Sequence, residues 1–322
     1  MATIAEQLTS LANTKTAIKD AIVAKGVAVS DTDTFRSYAD KIGQIQAGGG
    51  EPATKFGASI DTFIDDVDAN GVLNKTTWTG ALNFAGVKEI GEYALYYKFY
   101  GCAGITSVDF SSLQAIANTY GLAYAFQDCT GLISVNLSSL QSVGSTGLYY
   151  TFQDCTGLIS VDLSSLQSVG TNSLRNAFSG CKKLTGLDLG SLESVDAYGL
   201  NYAFSSCAGL TSLDLGSLQS VGNYGLAYAF TNCTGITSID LSSLQSVGTN
   251  GLQSAFYNNK ALTTMSFPSL TSVKSDSLNN TFGNCTALTE IHFRADMQAT
   301  IETMTGYSSK FGATNASIIF DL

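Results

Sequence analysis

Residues 155–181 read CTGLISVDLSSLQSVGTNSLRNAFSGC, and this stretch decides the fold. Leu158, Val161 and Leu163 follow Cys155 as L-x-x-V-x-L, the apolar spacing of a short strand whose side chains turn inward. Leu166 and Val169 continue the apolar pattern, and Gly170 allows the chain to bend. Leu174, Ala177, Phe178 and Cys181 then stand at i, i+3, i+4 and i+7, the spacing of one helical face. The stretch therefore predicts a strand, a turn and a short helix within one unit.

That unit recurs along the chain. Cysteine stands at 102, 129, 155, 181, 207, 233 and 285, and Asn259 takes the slot expected between the last two. Three residues before each of these eight positions stands a phenylalanine: Phe99, Phe126, Phe152, Phe178, Phe204, Phe230, Phe256 and Phe282. A unit of about 26 residues cannot bury its apolar face alone, so neighbouring units must stack into a solenoid. The fold class expected is an α/β solenoid of about eight such units, with short parallel strands and short helices.

The pattern A-F-x-x-C-x-x-L-x-x-V-x-L-x-x-L-x-x-V-G resembles the BspA-like leucine-rich repeats of bacterial surface proteins and related phage proteins, over roughly residues 84 to 293. Two features depart from that family. Its units are usually a few residues shorter, and the extra residues here lie around the Gly-x-x-Gly-Leu stretch. Its proline after the strand is mostly Ser or Gly here, with Pro268 the exception.

The flanks read differently. Ile4, Leu8, Leu11, Ile18 and Ile22 form an amphipathic stripe interrupted by Lys15, and Phe35, Tyr38, Ile42 and Ile45 form a second. Together they predict an N-terminal helical hairpin over 1–47, an attachment or oligomerisation module, because two helices alone bury too little surface. Its stretch TKTAIKDAIVAKG, with the later Phe35 and YADKI, resembles leaders of phage tail-associated and virion structural proteins. The resemblance implies attachment to a virion. The three heptads, with Lys15 at an inner position, leave a homo-oligomer (trimer or dimer) or docking on a partner open, the trimer first. Residues 48–55 contain GGGEP and read as a flexible linker. Residues 56–92, with Trp78, are expected as an N-terminal cap, 93–293 as the solenoid proper and 294–322 as a C-terminal cap.

Composition narrows the function. Charged residues make up 13% of the chain, about half the roughly 25% usual in globular proteins. A net charge of -10 argues against nucleic acid as partner, since phosphates are held by Lys and Arg. No apolar run is long enough to span a bilayer, and the first residues lack the basic and apolar regions of a secretory signal.

Three columns of side chains could carry chemistry. The cysteines lie on the apolar stripe and read as buried and reduced: adjacent units stand about 4.8 Å apart, but parallel side chains point the wrong way for a disulfide. With one histidine, His292, and no close cysteine pairs, no metal site or other cofactor is expected. Asp109, Asp162, Asp188, Asp214 and Asp240 take one outward strand position, shared with Asn136, Ser266 and His292. Such a column could bind Ca²⁺ or sugar hydroxyls, or each Asp could be solvated or bonded to a nearby Ser. A uniform column creates no asymmetric acid/base pair, so no enzyme is expected. Tyr93/Tyr97, Tyr120/Tyr124, Tyr198/Tyr202 and Tyr224/Tyr228 form i, i+4 pairs, with Tyr150 a single member. On a helix they would face outward, either as contacts for protein or glycan or stacked on one another along the seam. The pairs lapse at Asn172/Asn176, which divides them into two patches.

The function expected is a non-enzymatic binding protein. The first form is a phage tail-associated or virion protein whose solenoid recognises a bacterial surface ligand. The alternative is a BspA-like bacterial cell-surface adhesin that binds host protein or glycan.

Overall fold

The computed structural model describes Lys15, residues 55–56, 80–84, 86–116 and 119–322. All but Lys15 belong to one unit, Thr54–Ala58 with Lys75–Leu322. Apart from Lys15, the expected hairpin over 1–47 lies outside the described residues, as do most of the linker and residues 57–79 of the expected N-terminal cap, Trp78 among them.

Each repeat contributes two strands. The first set is β2 (Gly80–Asn83), β4 (Ile105–Asp109), β6 (Ser134–Asn136), β8 (Ser160–Asp162), β10 (Gly186–Asp188), β12 (Ser212–Asp214), β14 (Ser238–Asp240), β16 (Thr264–Phe267) and β18 (Glu290–Phe293). The second set has two residues per strand: β1 (Lys55–Phe56), β3 (Glu89–Ile90), β5 (Ala115–Ile116), β7 (Ser142–Val143), β9 (Ser168–Val169), β11 (Ser194–Val195), β13 (Ser220–Val221), β15 (Ser246–Val247) and β17 (Ser272–Val273). All pairings are parallel and join the same position in successive units, as in Ser160↔Ser134 and Val169↔Val143. Lys55, which composition assigns to the linker, stands in β1 opposite Glu89.

The two ladders differ in continuity. The second runs unbroken through nine strands. The first is divided into β2 to β10, then β12 with β14, then β16 and β18 with β19 (Ser317–Phe320). Both interruptions fall where the inward valine of Val108, Val135 and Val161 has given way to larger residues: Leu187 beside Leu213, and Ile239 beside Met265. Leu187 and Ile239 are half-buried, whereas the three valines are buried.

The third side of each unit corrects the expectation of a helix. Residues 119–129 and their equivalents form consecutive turns, and among the described residues of this unit the one α-helix is α1 (Gln298–Ile301), near the C-terminus. Left-handed backbone recurs every four residues, at Tyr120 (φ 54), Tyr124 (φ 58) and Asp128 (φ 60) in one unit and at Tyr224, Tyr228 and Asn232 in another. A right-handed helix excludes such residues. Backbone N–H groups alternate between two kinds of partner. Ala125 and Cys129 donate within the unit, to Leu122 and Phe126 carbonyls at 2.9 and 3.1 Å. Leu122, Tyr124, Phe126 and Asp128 donate to the next unit, to the carbonyls of Gly147, Tyr149, Thr151 and Gln153, each at 2.9 Å. The helix reading failed because a four-residue turn period and a 3.6-residue helical period place the same apolar residues inward.

The core lies between these three sides. The eight phenylalanines stack from unit to unit, with ring centroids from 5.0 Å (Phe99–Phe126) to 6.0 Å (Phe256–Phe282). Close approach of successive units is built in at Gly157, where an added Cβ would meet the Thr130 carbonyl oxygen at 2.5 Å. At the C-terminus, β19 adds to β18, and Met297, Ile301 and Phe311 are buried behind it. His292 ties this end together: its Nδ1 lies 2.9 Å from Asp321 and its Nε2 3.3 Å from Glu290.

Candidate functional site

The cysteine column is structural. All seven thiols are buried and none is in a disulfide. Each of six donates to the carbonyl of the phenylalanine one unit back: Cys129 to Phe99 at 3.1 Å, Cys155 to Phe126 at 3.1 Å, Cys181 to Phe152 at 3.2 Å, and so on through Cys285 to Phe256 at 3.0 Å. Burial pushes the thiol of Cys233 up to about 12 and that of Cys285 to about 11, well away from the thiolate range. Nucleophilic and metal chemistry both need thiolate, which burial suppresses here. Asn259, in the same column, is fully buried, and neither of its amide atoms has a partner.

The aspartate column is in register but segmented. Asp109, Asn136, Asp162 and Asp188 stand opposite one another in turn, and Asp214 stands opposite Asp240. The ladder is interrupted between Asp188 and Asp214 and again after Asp240. One oxygen of each carboxylate is engaged: Oδ1 accepts the backbone N–H two residues on, at 2.9 Å from Ser111, 3.1 Å from Ser164, 2.9 Å from Gly190, 2.9 Å from Gly216 and 2.8 Å from Ser242. These Asx turns end each strand. The nearby serine expected as partner is the one two residues on for Asp109, Asp162 and Asp240, while Gly190 and Gly216 take that place for Asp188 and Asp214. Among the described residues no group of three or more His, Cys, Asp or Glu is placed to hold a metal ion.

The tyrosines occupy the left-handed turn positions. Their outward placement comes from turn geometry rather than from a helical face. Tyr97, Tyr124 and Tyr150 form one stacked row at 4.5 and 5.1 Å, with Tyr93 beside Tyr120 at 5.6 Å. Tyr198 stacks on Tyr224 at 4.8 Å and Tyr202 on Tyr228 at 4.6 Å. Tyr93 and Tyr97 are exposed and the others half-buried. Between the patches lie Asn172 and Asn176, and the Arg175 guanidinium sits 5.8 Å from the Tyr198 ring centre. Burial, then the neighbouring Tyr149, Tyr97 and Tyr150, raise the Tyr124 phenol well above its usual value. Burial likewise raises Tyr150 and Tyr202.

The first patch holds tyrosines that periodicity passed over. Tyr96 packs edge-on against Tyr93, Tyr97, Tyr120 and Tyr124, and Tyr149 packs against Tyr120, Tyr124 and Tyr150. The run YALYYKFY at 93–100 carried that signal, but counting only i, i+4 pairs discarded it.

Part of the aspartate column lines a second surface, on the strand side. Residues of β4, β6, β8 and β10 line an open trough of about 830 Å³, with Ser107, Asp109, Ser134, Asn136, Ser160 and Asp162 among its walls. Beside it, Ile133 and Ile159 on successive units are 47% and 46% exposed.

Comparison with known proteins agrees with the repeat pattern. The family model described as BspA type leucine rich repeat region (6 copies) matches residues 81–200, 123–250, 149–281 and 200–310, which overlap to cover most of the chain. No curated protein matches the sequence. Among solved structures, a leucine-rich repeat protein from Bacteroides ovatus is 20% identical, with 75% of this chain and 69% of that one covered and a TM-score of 0.39. A leucine rich cell surface protein from Faecalibacterium prausnitzii is 18% identical, with 78% and 80% covered and a TM-score of 0.31. The leucine rich repeat protein of T. pallidum is 16% identical, with 80% and 78% covered and a TM-score of 0.26.

Proposed function

The chain belongs to the BspA-type leucine-rich-repeat family, and from that premise we propose that it is a non-enzymatic adhesin of a bacterial cell surface, binding a protein or glycan of the host or of neighbouring cells. One observation carries this reading. The units spend their thiols and one oxygen of each column aspartate on the scaffold and present serine, aspartate and tyrosine side chains outward. The thiols are buried and bonded to backbone, and each aspartate of the column spends an oxygen on its own turn. Outward stand two tyrosine patches and the Ser-x-Asp face. Tyrosine offers wide contact area at a small conformational cost, and a ladder bonded at every unit holds these groups in fixed spacing. Tyr93, Tyr97, Tyr120, Tyr124 and Tyr150 in one patch, and Tyr198, Tyr202, Tyr224 and Tyr228 in the other, are the proposed contacts, with the aspartate column beside the trough.

Residues 1–47 serve on this reading as the attachment segment, with trimeric assembly the expected result of light scattering on the full chain. The virion alternative draws on that leader, the GGGEP hinge and the low-charge surface, and the leader, Lys15 apart, lies outside the described residues.

Fractionation of the source cells, followed by antibody detection of the chain, tests location. Recovery with cell envelopes supports the proposal; recovery with phage particles contradicts it. Incubation of the purified full chain with glycan and host-protein arrays tests activity. Saturable binding that Tyr202→Ser/Tyr228→Ser reduces supports the tyrosine contacts, and binding untouched by changes in either patch contradicts them.

A further inference from the structure

The repeat supplies its own control, since the same position can be compared across units. The position just before the Ser-x-Asp strand is Thr106, Thr185, Thr211, Thr237, Thr263 and Thr289 in six units, but Ile133 and Ile159 in two. Threonine fits this position: Thr237 Oγ1 and Thr289 Oγ1 each lie 3.2 Å from the carbonyl of the equivalent residue one unit back. Isoleucine loses that bond and leaves an aliphatic side chain nearly half exposed. The backbone is unchanged, with Ile159 N–H donating to the Ile133 carbonyl at 2.8 Å, as Thr237 N–H donates to Thr211 at 2.9 Å. The backbone ladder therefore does not require isoleucine at these two positions.

A third departure lies beside them. The next position is Ser107, Ser134, Ser160, Ser212 and Ser238 in five units, Thr264 and Glu290 in the last two, and Gly186, alone in lacking a side chain, in β10. Gly186 faces Ser160 in register and lines the trough without a side chain. Ile133, Ile159 and Gly186 fall together on the five-stranded segment of that ladder.

We propose that this stretch is a docking surface for an extended polypeptide segment in which aliphatic side chains alternate with lysine or arginine. The aliphatic residues would lie on Ile133 and Ile159. The cationic residues would face Asp109, Asp162 and Asp188, which line the trough with no Lys, Arg or His among its walls. Each of these carboxylates uses Oδ1 for its own turn, and Oδ2 takes no part in that bond. The trough has no aromatic wall, which disfavours a sugar ring and favours a peptide. This inference rests on reading the chain as a binding protein and adds a partner class to it.

The test is fluorescence anisotropy of the full chain with labelled Lys-Leu-Lys-Leu-Lys-Leu-Lys at 150 mM salt, against the same peptide with Glu for Lys. Saturable binding is expected for the basic peptide alone. Ile133→Thr/Ile159→Thr, which installs the residue that other units already carry, is expected to weaken it at least tenfold with an unchanged unfolding midpoint. Asp162→Asn is expected to weaken it several-fold and Glu193→Gln, of the same net charge change elsewhere, not at all. Equal binding by the isoleucine double variant overturns the proposal, as does an equal loss in Glu193→Gln, which would mark general charge attraction. Dimerisation of the chain that the double variant abolishes would make a second copy the occupant and overturn it too. If the peptide fails to bind while the full chain still binds on the arrays, the docking proposal falls and the adhesin reading stands.

Discussion

Asn259→Cys should stabilise the protein, and the column around it sets the size of the effect. In six units a buried thiol donates to the preceding unit's phenylalanine carbonyl at 3.0 to 3.2 Å. Asn259 occupies the same slot with 0% exposure, and its Oδ1 and Nδ2 atoms have no partner. An unsatisfied buried polar group costs about 1–3 kcal/mol. Cysteine removes both orphaned atoms, is smaller than asparagine and supplies the missing S–H donor. Part of the gain is offset by lost van der Waals contact. A net gain of about 1–3 kcal/mol follows, or a rise of roughly 2–4 °C in midpoint per kcal/mol for a domain of this size. Urea unfolding of the full chain under reducing conditions, followed by tyrosine fluorescence, measures it. Because repeat arrays can unfold in parts, amide exchange across 250–293 should be read alongside. The reciprocal change, Cys233→Asn, is expected to lose a similar amount. An unchanged or lower midpoint for Asn259→Cys would refute the reasoning, since it would mean that the amide has a partner in solution.

Other outcomes follow from the same structure. The thiols should resist an aromatic disulfide reagent at pH 8 in the native protein and react in denaturant; rapid native reaction would contradict their burial. Because Cys233 and Cys285 titrate higher when folded than the ordinary value of 9.0, their contribution is complete below that value and is lost as pH rises towards about 12; an unfolding midpoint flat across this range would be the contrary result. His292 is raised chiefly by its bond to Asp321, then by Glu290, against opposing desolvation, so it steadies the C-terminal strand below the ordinary histidine value and does so less as pH climbs through its folded value. Amide exchange at Phe293 and Leu322 should quicken with pH beyond the intrinsic rate, and His292→Gln should remove that excess. Gly157→Ala forces a Cβ against the Thr130 carbonyl and should cost about 1–3 kcal/mol, read by urea unfolding.

Much of the fold was legible from the Phe-x-x-Cys spacing and the Leu-x-x-Val-x-Leu strand, because stacked units repeat their inward side chains at one interval. The turns were not legible from apolar residues alone. Leu122, Ala125, Phe126 and Cys129 fit a helical face and a four-residue turn ladder equally well. The distinguishing signal was polar: Gly101, Asp128, Asp154, Gly180, Asn232, Asn258 and Asn284, with Ser206, hold one left-handed column, and Asn172, Asn176, Asn250 and Asn280, with Thr146 and Ser254, share the other two with tyrosine; glycine, asparagine and aspartate predominate outside the tyrosines. These residue types tolerate left-handed backbone. Tyrosine tolerates it less well, and ring stacking, worth about 0.5–1.5 kcal/mol per pair, offsets the cost where it stands. The aspartate positions were legible, but not their Asx turns or the segmentation of the ladder. Ile133 and Ile159 were hidden because they are ordinary apolar residues in a strand-rich unit, and only comparison with threonine in the other units sets them apart.

The placement of both tyrosine patches depends on the turn ladder, so its backbone is the measurement to make. Nuclear Overhauser spectra of the labelled full chain across residues 119–129 decide it. Strong intraresidue HN–Hα contacts at Tyr120, Tyr124 and Asp128, with cross-unit contacts from Tyr124 to Tyr149 and Tyr150, are the result expected of left-handed turns bonded to the next unit. Consecutive HN–HN contacts with Hα to HN contacts three residues on would be those of a helix, and would contradict the account.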